Sequence, residues 1–181
     1  MKRLLFVLMA MVFAIQGWGQ TPTTVTIGSG TDTSFYVPLY GYYEYSYSQQ
    51  IYNQTEINAK GQITKIRLYY SSGSYTNTTN WTVYLGHTTK TSFSSTSDWV
   101  PVSTLTQVFS GTVTYPATGN WLEITLSTPF SYNNVDNLIL AVDENEAGDC
   151  GSSSQPLWGT FTGSPTYRGL YKYQDGTNID P

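Results

Sequence analysis

Leu138-Ile139-Leu140-Ala141-Val142 is the most continuously apolar stretch of the chain beyond its first residues. Five apolar residues in a row, without a helical period, predict a central strand that is buried on both faces of a sheet. The neighbouring segment Trp121–Leu126 has a different pattern, because Leu122, Ile124 and Leu126 alternate with polar residues. That alternation predicts a strand with one buried and one solvated face.

Similar strand patterns recur on both sides of these two segments, with Gly-, Ser-, Thr- and Asn-rich turns between them. No segment has a sustained apolar period of a helix. The additional predicted strands are Thr24–Ile27, Ser34–Tyr40, Tyr43–Ser48, Ile63–Tyr70, Trp81–Gly86, Gln107–Tyr115, Trp158–Phe161 and Gly169–Tyr173. About eight to ten short strands predict an all-β fold, a two-sheet β-sandwich of jelly-roll or Greek-key type.

The chain begins with a predicted signal peptide, residues 1–19. Lys2 and Arg3 precede an apolar run from Leu4 to Ile15, and Gly17 and Gly19 provide small residues for cleavage. The run is shorter than the roughly 20 residues that span a bilayer, so no membrane insertion is expected after cleavage. Residues 20–175 are the predicted β-sandwich module, and residues 176–181 are the expected start of a linker to further domains. The protein is therefore predicted to be secreted or on the cell surface.

Charge and composition exclude several kinds of partner. The chain has 8 Lys and Arg against 12 Asp and Glu, and 15% of its residues are aromatic. Nucleic-acid binding is not expected, because phosphate recognition needs clustered cations. The aromatic content argues against disorder.

Several stretches resemble the N-terminal β-sandwich module of large secreted proteins from bacteria that use type IX secretion. They are Tyr40–Tyr43, Tyr47–Gln49, Ile63–Ile66, Trp81–Phe93, Leu105–Gly111, Asn137–Asn145 and Asp175–Pro181. Such modules usually precede fibronectin type III-like, adhesin-like or enzyme domains. The resemblance implies downstream domains of the same chain as partners, and it provides no catalytic residues to transfer.

The sequence contains no recognisable catalytic motif. His87 is the only histidine and Cys150 the only cysteine. A catalytic triad would therefore have to use His87, and a zinc site would have only one histidine and one cysteine as ligands. No nucleophile elbow and no phosphate loop is present. We therefore predict that the module is not an enzyme. Cys150 is either an inert, partly buried thiol or a residue that pairs with another chain.

Two groups of residues are candidates for ligand binding. Tyr43, Tyr45 and Tyr47 share one face of a predicted strand and, with Trp99, could stack on sugar rings. The alternative is that these rings pack inside the sandwich. Five oxygen-bearing side chains follow the apolar strand in one loop, and they either hold calcium or form a solvated acidic loop. They are Asp143, Glu144, Asn145, Glu146 and Asp149.

These features predict a non-catalytic extracellular structural or interaction module, adhesin-like, from a larger secreted or surface protein. The alternative is a carbohydrate-binding module, with calcium as a possible brace and no other cofactor expected. A polysaccharide or a surface protein is the corresponding partner.

Overall fold

Nine strands and one short helix make up the described part of the chain. The computed structural model describes residues 22–33, 36–71, 73, 75–151, 157–159 and 166–181. The predicted signal peptide lies outside these residues. The elements are β1 (Asp32–Thr33), β2 (Tyr45–Tyr52), α1 (Gln54–Ile57), β3 (Gly61–Tyr70), β4 (Asn80–Thr88), a 3₁₀ turn (Val102–Thr104), β5 (Thr106–Thr112), β6 (Asn120–Tyr132), β7 (Asn137–Glu144), β8 (Trp158–Gly159) and β9 (Gly169–Gln174).

The strands form a β-sandwich, which confirms the predicted fold. One sheet has five antiparallel strands in the order β5-β4-β7-β2-β9, and β3 pairs with β6 in a second sheet that faces it. The chain crosses between these sheets at β2→β3, β3→β4, β5→β6 and β6→β7. A short pair of β1 and β8 lies beside them.

Strand β7 is the centre of the large sheet, and both of its faces are buried. Leu138, Leu140 and Val142 point into the main core, which they share with residues of β3, β4, β5 and β6. Ile139 and Ala141 point to the outer face, where residues of the 89–105 loop and Ile179 cover them. The unbroken apolar run of β7 therefore corresponds to a strand with no solvated face, as predicted.

Strand β6 extends beyond the predicted end at Leu126. The pairing with β3 slips between Ile63↔Phe130 and Lys65↔Thr125, so that β6 bulges there. Pro129 lies in the bulge, where the ladder is interrupted and the missing N–H of proline costs no ladder hydrogen bond. After the bulge, Phe130 and Tyr132 return to the core.

The loop over the outer face is attached by a buried glutamine of β2. Gln49 Nε2 donates to the Val100 carbonyl oxygen at 2.7 Å, and Val100 N donates back to Gln49 Oε1 at 2.9 Å. This reciprocal pair satisfies the polar groups of both partners where water is excluded. The segment expected as the start of a linker also packs here, because Ile179 is buried against Tyr47 and Ala141.

Candidate functional site

The structure does not place the three predicted platform tyrosines on one exposed surface. Tyr47 is 4% exposed, because β2 lies between β7 and β9 and its outer face is covered. Tyr45 is half-buried in the same cluster. Tyr43 precedes the strand and stacks on Tyr173 instead, with ring centroids 4.1 Å apart.

Tyr47 and Trp99 meet, although 52 positions separate them in the sequence. Their ring centroids are 5.3 Å apart, and both residues border a cleft of about 390 Å³ on the outer face of the large sheet, with Trp99 the more exposed of the two. Lys172 and Asp180 also line the cleft, together with Ser103. Two of the four predicted ligand-binding residues therefore share a concave site with polar groups around it.

The most prominent aromatic surface is a cluster of six tyrosines, here named the tyrosine patch. Its members are Tyr36, Tyr40, Tyr42, Tyr43, Tyr171 and Tyr173. Tyr42 is 50% exposed and Tyr171 is 42% exposed, so the patch is open to solvent. Aromatic surface of this kind is usually covered in functional complexes, since large exposed apolar patches mark interaction sites.

The rings of the patch form a column rather than a flat platform. Tyr36 stacks on Tyr171 with centroids 4.2 Å apart and planes 9° apart. Tyr171 is parallel to Tyr173 at 6.1 Å, and Tyr173 stacks on Tyr43. Tyr40 meets both Tyr36 and Tyr173 edge-on. Because the rings use their faces against one another, the column presents ring edges and hydroxyl groups to solvent.

Strand β2 determines where the patch forms. The buried hydroxyl of Ser48 donates to the Pro38 carbonyl oxygen, and the Ser46 hydroxyl accepts from Tyr40 N at 3.1 Å. Leu39, which is 1% exposed, is buried in the main core between these contacts. The segment carrying Tyr36 and Tyr40 is thus held beside strand β9, which contributes Tyr171 and Tyr173.

Two carboxylates lie beside the patch. Asp175 Oδ1 accepts from Glu44 N at 3.1 Å, and Glu44 Oε2 accepts from Gly176 N at 2.6 Å. Within the described residues no cation forms an ion pair with either carboxylate. Desolvation, followed by the charges of Tyr173 and Asp175, raises the pKa of Tyr43. The surface combines aromatic edges with negative charge.

The predicted calcium residues are divided by the alternation of β7. Asp143 points to the outer face and Glu144 to the main core, so neighbours in sequence face opposite sides. Asp143 Oδ2 accepts from Asn145 Nδ2 at 3.0 Å, and Glu146 Oε2 accepts from Thr79 N at 2.6 Å. Asp149 Oδ1 accepts from Gly151 N at 2.6 Å. No group of three or more His, Cys, Asp and Glu side chains suited to a metal occurs among the described residues. Calcium binding stays a prediction.

Glu144 has an unusual environment. It is 1% exposed; its Oε1 accepts from Glu146 N at 2.8 Å, and its Oε2 has no hydrogen-bond partner in the described part of the chain. Desolvation raises its pKa to about 8. Desolvation also raises the pKa of Asp143, to about 6. Two adjacent carboxyl groups thus resist ionisation because burial removes the water that would solvate their charges.

His87 and Cys150 lie at opposite ends of the sandwich. His87 is exposed near the end of β4, where it packs on Phe130 and its Nε2 accepts from Asn133 N at 3.3 Å. Cys150 donates its N–H to the Gly41 carbonyl oxygen near the residues that precede β4. The length of β4 separates the two side chains by roughly 25 Å, so they do not form a common site.

Comparisons with known proteins leave the geometry as the only guide to function. The chain matches no family model, no curated protein and no solved structure. Among the described residues, no helix is both long enough and apolar enough to cross a membrane. The class of protein that the fold defines is a two-sheet antiparallel β-sandwich.

Of the tyrosine patch, only Tyr43 was predicted from the sequence as a ligand-binding residue. Tyr171 and Tyr173 could have been identified, because they alternate with Lys172 in a predicted strand and so share a face. Tyr36 and Tyr40 share a face of the predicted strand Ser34–Tyr40, but the described residues 36–40 form no strand, and Tyr42 had no such signal. Their positions depend on the folding of residues 36–43 over the end of the sheet, which is a tertiary contact.

Proposed function

We propose that the chain is a non-catalytic interaction module of a secreted or surface protein, and that it binds a protein partner through the tyrosine patch. The observation that supports this most is a cluster of six packed tyrosines at the edge of the large sheet, four of which are exposed. Tyrosine is enriched in protein interfaces because it contributes large contact area and a polar hydroxyl with few rotatable bonds.

The chemistry of the patch indicates a basic partner. Ring edges and hydroxyls face solvent, and the carboxylates of Glu44 and Asp175 lie beside them. Arginine suits such a surface, because its guanidinium group pairs with carboxylates in a fixed geometry and its remaining N–H groups can donate to tyrosine hydroxyl oxygens. The expected partner is therefore a protein surface that presents arginine side chains.

Removing two rings from the column is expected to weaken partner binding strongly. In the double variant Tyr171→Ser and Tyr173→Ser, the stacks with Tyr36 and Tyr43 disappear, and we expect affinity to fall at least tenfold, as hot-spot tyrosines do. The measurement is binding of residues 20–181 to an array of purified extracellular proteins and glycans. The matched control is Tyr167→Ser, an exposed tyrosine outside the patch, which should bind like the wild type. Equal binding by all three proteins would contradict the proposal.

Carbohydrate binding is the second candidate, and the cleft between Tyr47 and Trp99 favours it. An aromatic wall with nearby charged and hydroxyl groups suits a sugar, whose apolar ring face stacks while its hydroxyls form hydrogen bonds. The cleft of about 390 Å³ is large enough for one or two sugar units.

Trp99→Ala should remove glycan binding in the cleft if this candidate holds. The expected loss is about tenfold or more in affinity for a neutral oligosaccharide identified on the array, since one stacking aromatic ring is lost. Tyr167→Ala, an exposed aromatic residue outside the cleft, is the matched control. A glycan that binds both variants equally well does not occupy this cleft.

A further inference from the structure

The outer face of the β3–β6 pair has more cationic than acidic side chains, whereas the whole chain is acidic. Beyond residues 1–19 the sequence has six cationic side chains and twelve acidic ones. Lys90 forms an ion pair with Asp98, and Arg168 forms one with Glu56. Three of the remaining cations are Lys60, Lys65 and Arg67, which lie on β3 or next to it. The only acidic residue of β3 and β6 is Glu123.

Glu123 is shared by two of these cations. Lys65 Nζ lies 2.6 Å from Glu123 Oε1, and an Arg67 guanidinium nitrogen lies 2.7 Å from Glu123 Oε2. The side chains of Lys65 and Arg67 are 47% and 44% exposed. Exposed ion pairs of this kind contribute little free energy, so an incoming acidic group can replace Glu123 at small cost.

An aromatic pair adjoins the charged row on the same face. The register pairs Arg67 with Glu123 and Tyr69 with Trp121, so the two rows are neighbours on one face, about 7 Å apart. Trp121 is 48% exposed and meets Tyr69 edge-to-face with centroids 5.3 Å apart. Nothing in the described core requires a tryptophan here, because the inward side of β6 is formed by Leu122, Ile124 and Leu126.

We propose that this outer face binds an anionic polysaccharide, with Trp121 stacking on a sugar ring and Lys65 and Arg67 pairing with the carboxylate or sulfate groups of neighbouring sugars. The two long paired strands suit an extended chain. The aromatic row beside the cationic rows suits a ligand that has both ring faces and acidic groups. The inference goes beyond the tyrosine patch and uses none of its residues.

The test is a titration of residues 20–181 with polygalacturonate and with dextran sulfate, using dextran as the uncharged probe. We expect saturable binding to at least one acidic polymer that weakens as salt is raised. Arg67→Ala and Trp121→Ala should each lower the affinity about tenfold. Glu123→Gln should raise it several-fold, because both cations lose their internal partner. Tyr167→Ser, which removes an exposed side chain outside both this face and the cleft, is the matched control.

Several outcomes would overturn the proposal. These are equal binding to dextran, unchanged affinity in Arg67→Ala, or no saturable binding to either acidic polymer. Equal binding to polyglutamate would identify the face as a site for acidic proteins instead. All substituted side chains are exposed, and thermal melts check that each variant keeps the stability of the wild type. Because Tyr171→Ser with Tyr173→Ser leaves this face intact, failure of the tyrosine patch and failure of this site are distinguishable.

Discussion

Trp81→Ala is expected to lower the free energy of unfolding by about 3–5 kcal/mol, the usual cost of removing a large aromatic ring from a core. Trp81 is fully buried between the sheets, and its Nε1–H donates to the Thr78 carbonyl oxygen at 2.7 Å. The loss corresponds to a decrease in melting temperature on the order of 10 °C for a domain of this size. The measurement is thermal unfolding followed by circular dichroism.

Trp121→Ala is the matched control for this prediction. Trp121 lies on the solvated face of β6, so the same substitution should change the free energy of unfolding by no more than about 0.5 kcal/mol. Similar losses for the two tryptophans would contradict the division of β4 and β6 into inward and outward faces.

Stability is expected to fall as pH rises from about 4.5 to 8, because of Glu144. Its folded-state pKa of about 8 lies above the ordinary value of 4.5, so the folded protein binds the proton more tightly than the unfolded chain does. The stabilisation is therefore complete below pH 4.5 and is lost as pH approaches 8. Asp143 adds to the trend between its ordinary value of 3.8 and about 6. The combined effect is on the order of several kcal/mol.

Denaturant unfolding at a series of pH values, with EDTA present, measures this trend. Desolvation is the main cause of the raised Glu144 pKa; the Glu146 N–H lowers this pKa, and the charges of Glu146 and Asp143 raise it. Glu144→Gln should flatten the profile and make the protein more stable than the wild type at pH 9. Glu123→Gln is the contrasting variant, since Lys65 and Arg67 lower the Glu123 pKa and its contribution is lost only in acid. Stability that increases from pH 5 to pH 8 in the wild type would contradict the buried environment of Glu144.

The fold could be predicted because its signals are local. The apolar run of β7 and the alternation of Leu122, Ile124 and Leu126 depend only on which faces the strands bury. The bulge at Pro129 also has a local cause. The prediction ended this strand at Leu126, whereas β6 continues past the bulge to Tyr132. The short β1 and β8 depend on pairing with each other across the fold.

The candidate sites were harder to predict, because each is assembled from distant segments. Spacing alone placed Tyr43, Tyr45 and Tyr47 on one strand face, but it could not show that a loop covers that face. Loop 89–105 does so through Phe93 and Val100, which contact Ile51 and Ile139. Likewise, the sequence suggested one acidic loop, but Asp143 and Glu144 belong to β7 and lie on opposite faces of its sheet.

We propose that the tyrosine patch is the surface through which the module contacts a basic partner. The most direct test is an NMR titration of residues 20–181, isotope-labelled on the tyrosine rings, with a synthetic arginine-rich peptide and a lysine-matched control peptide. We predict saturable shifts confined to the patch, largest at Tyr171 and Tyr173, and stronger for the arginine peptide. Shifts at Tyr69 or Tyr167 instead, or no saturable shift of the patch tyrosines, would contradict the claim.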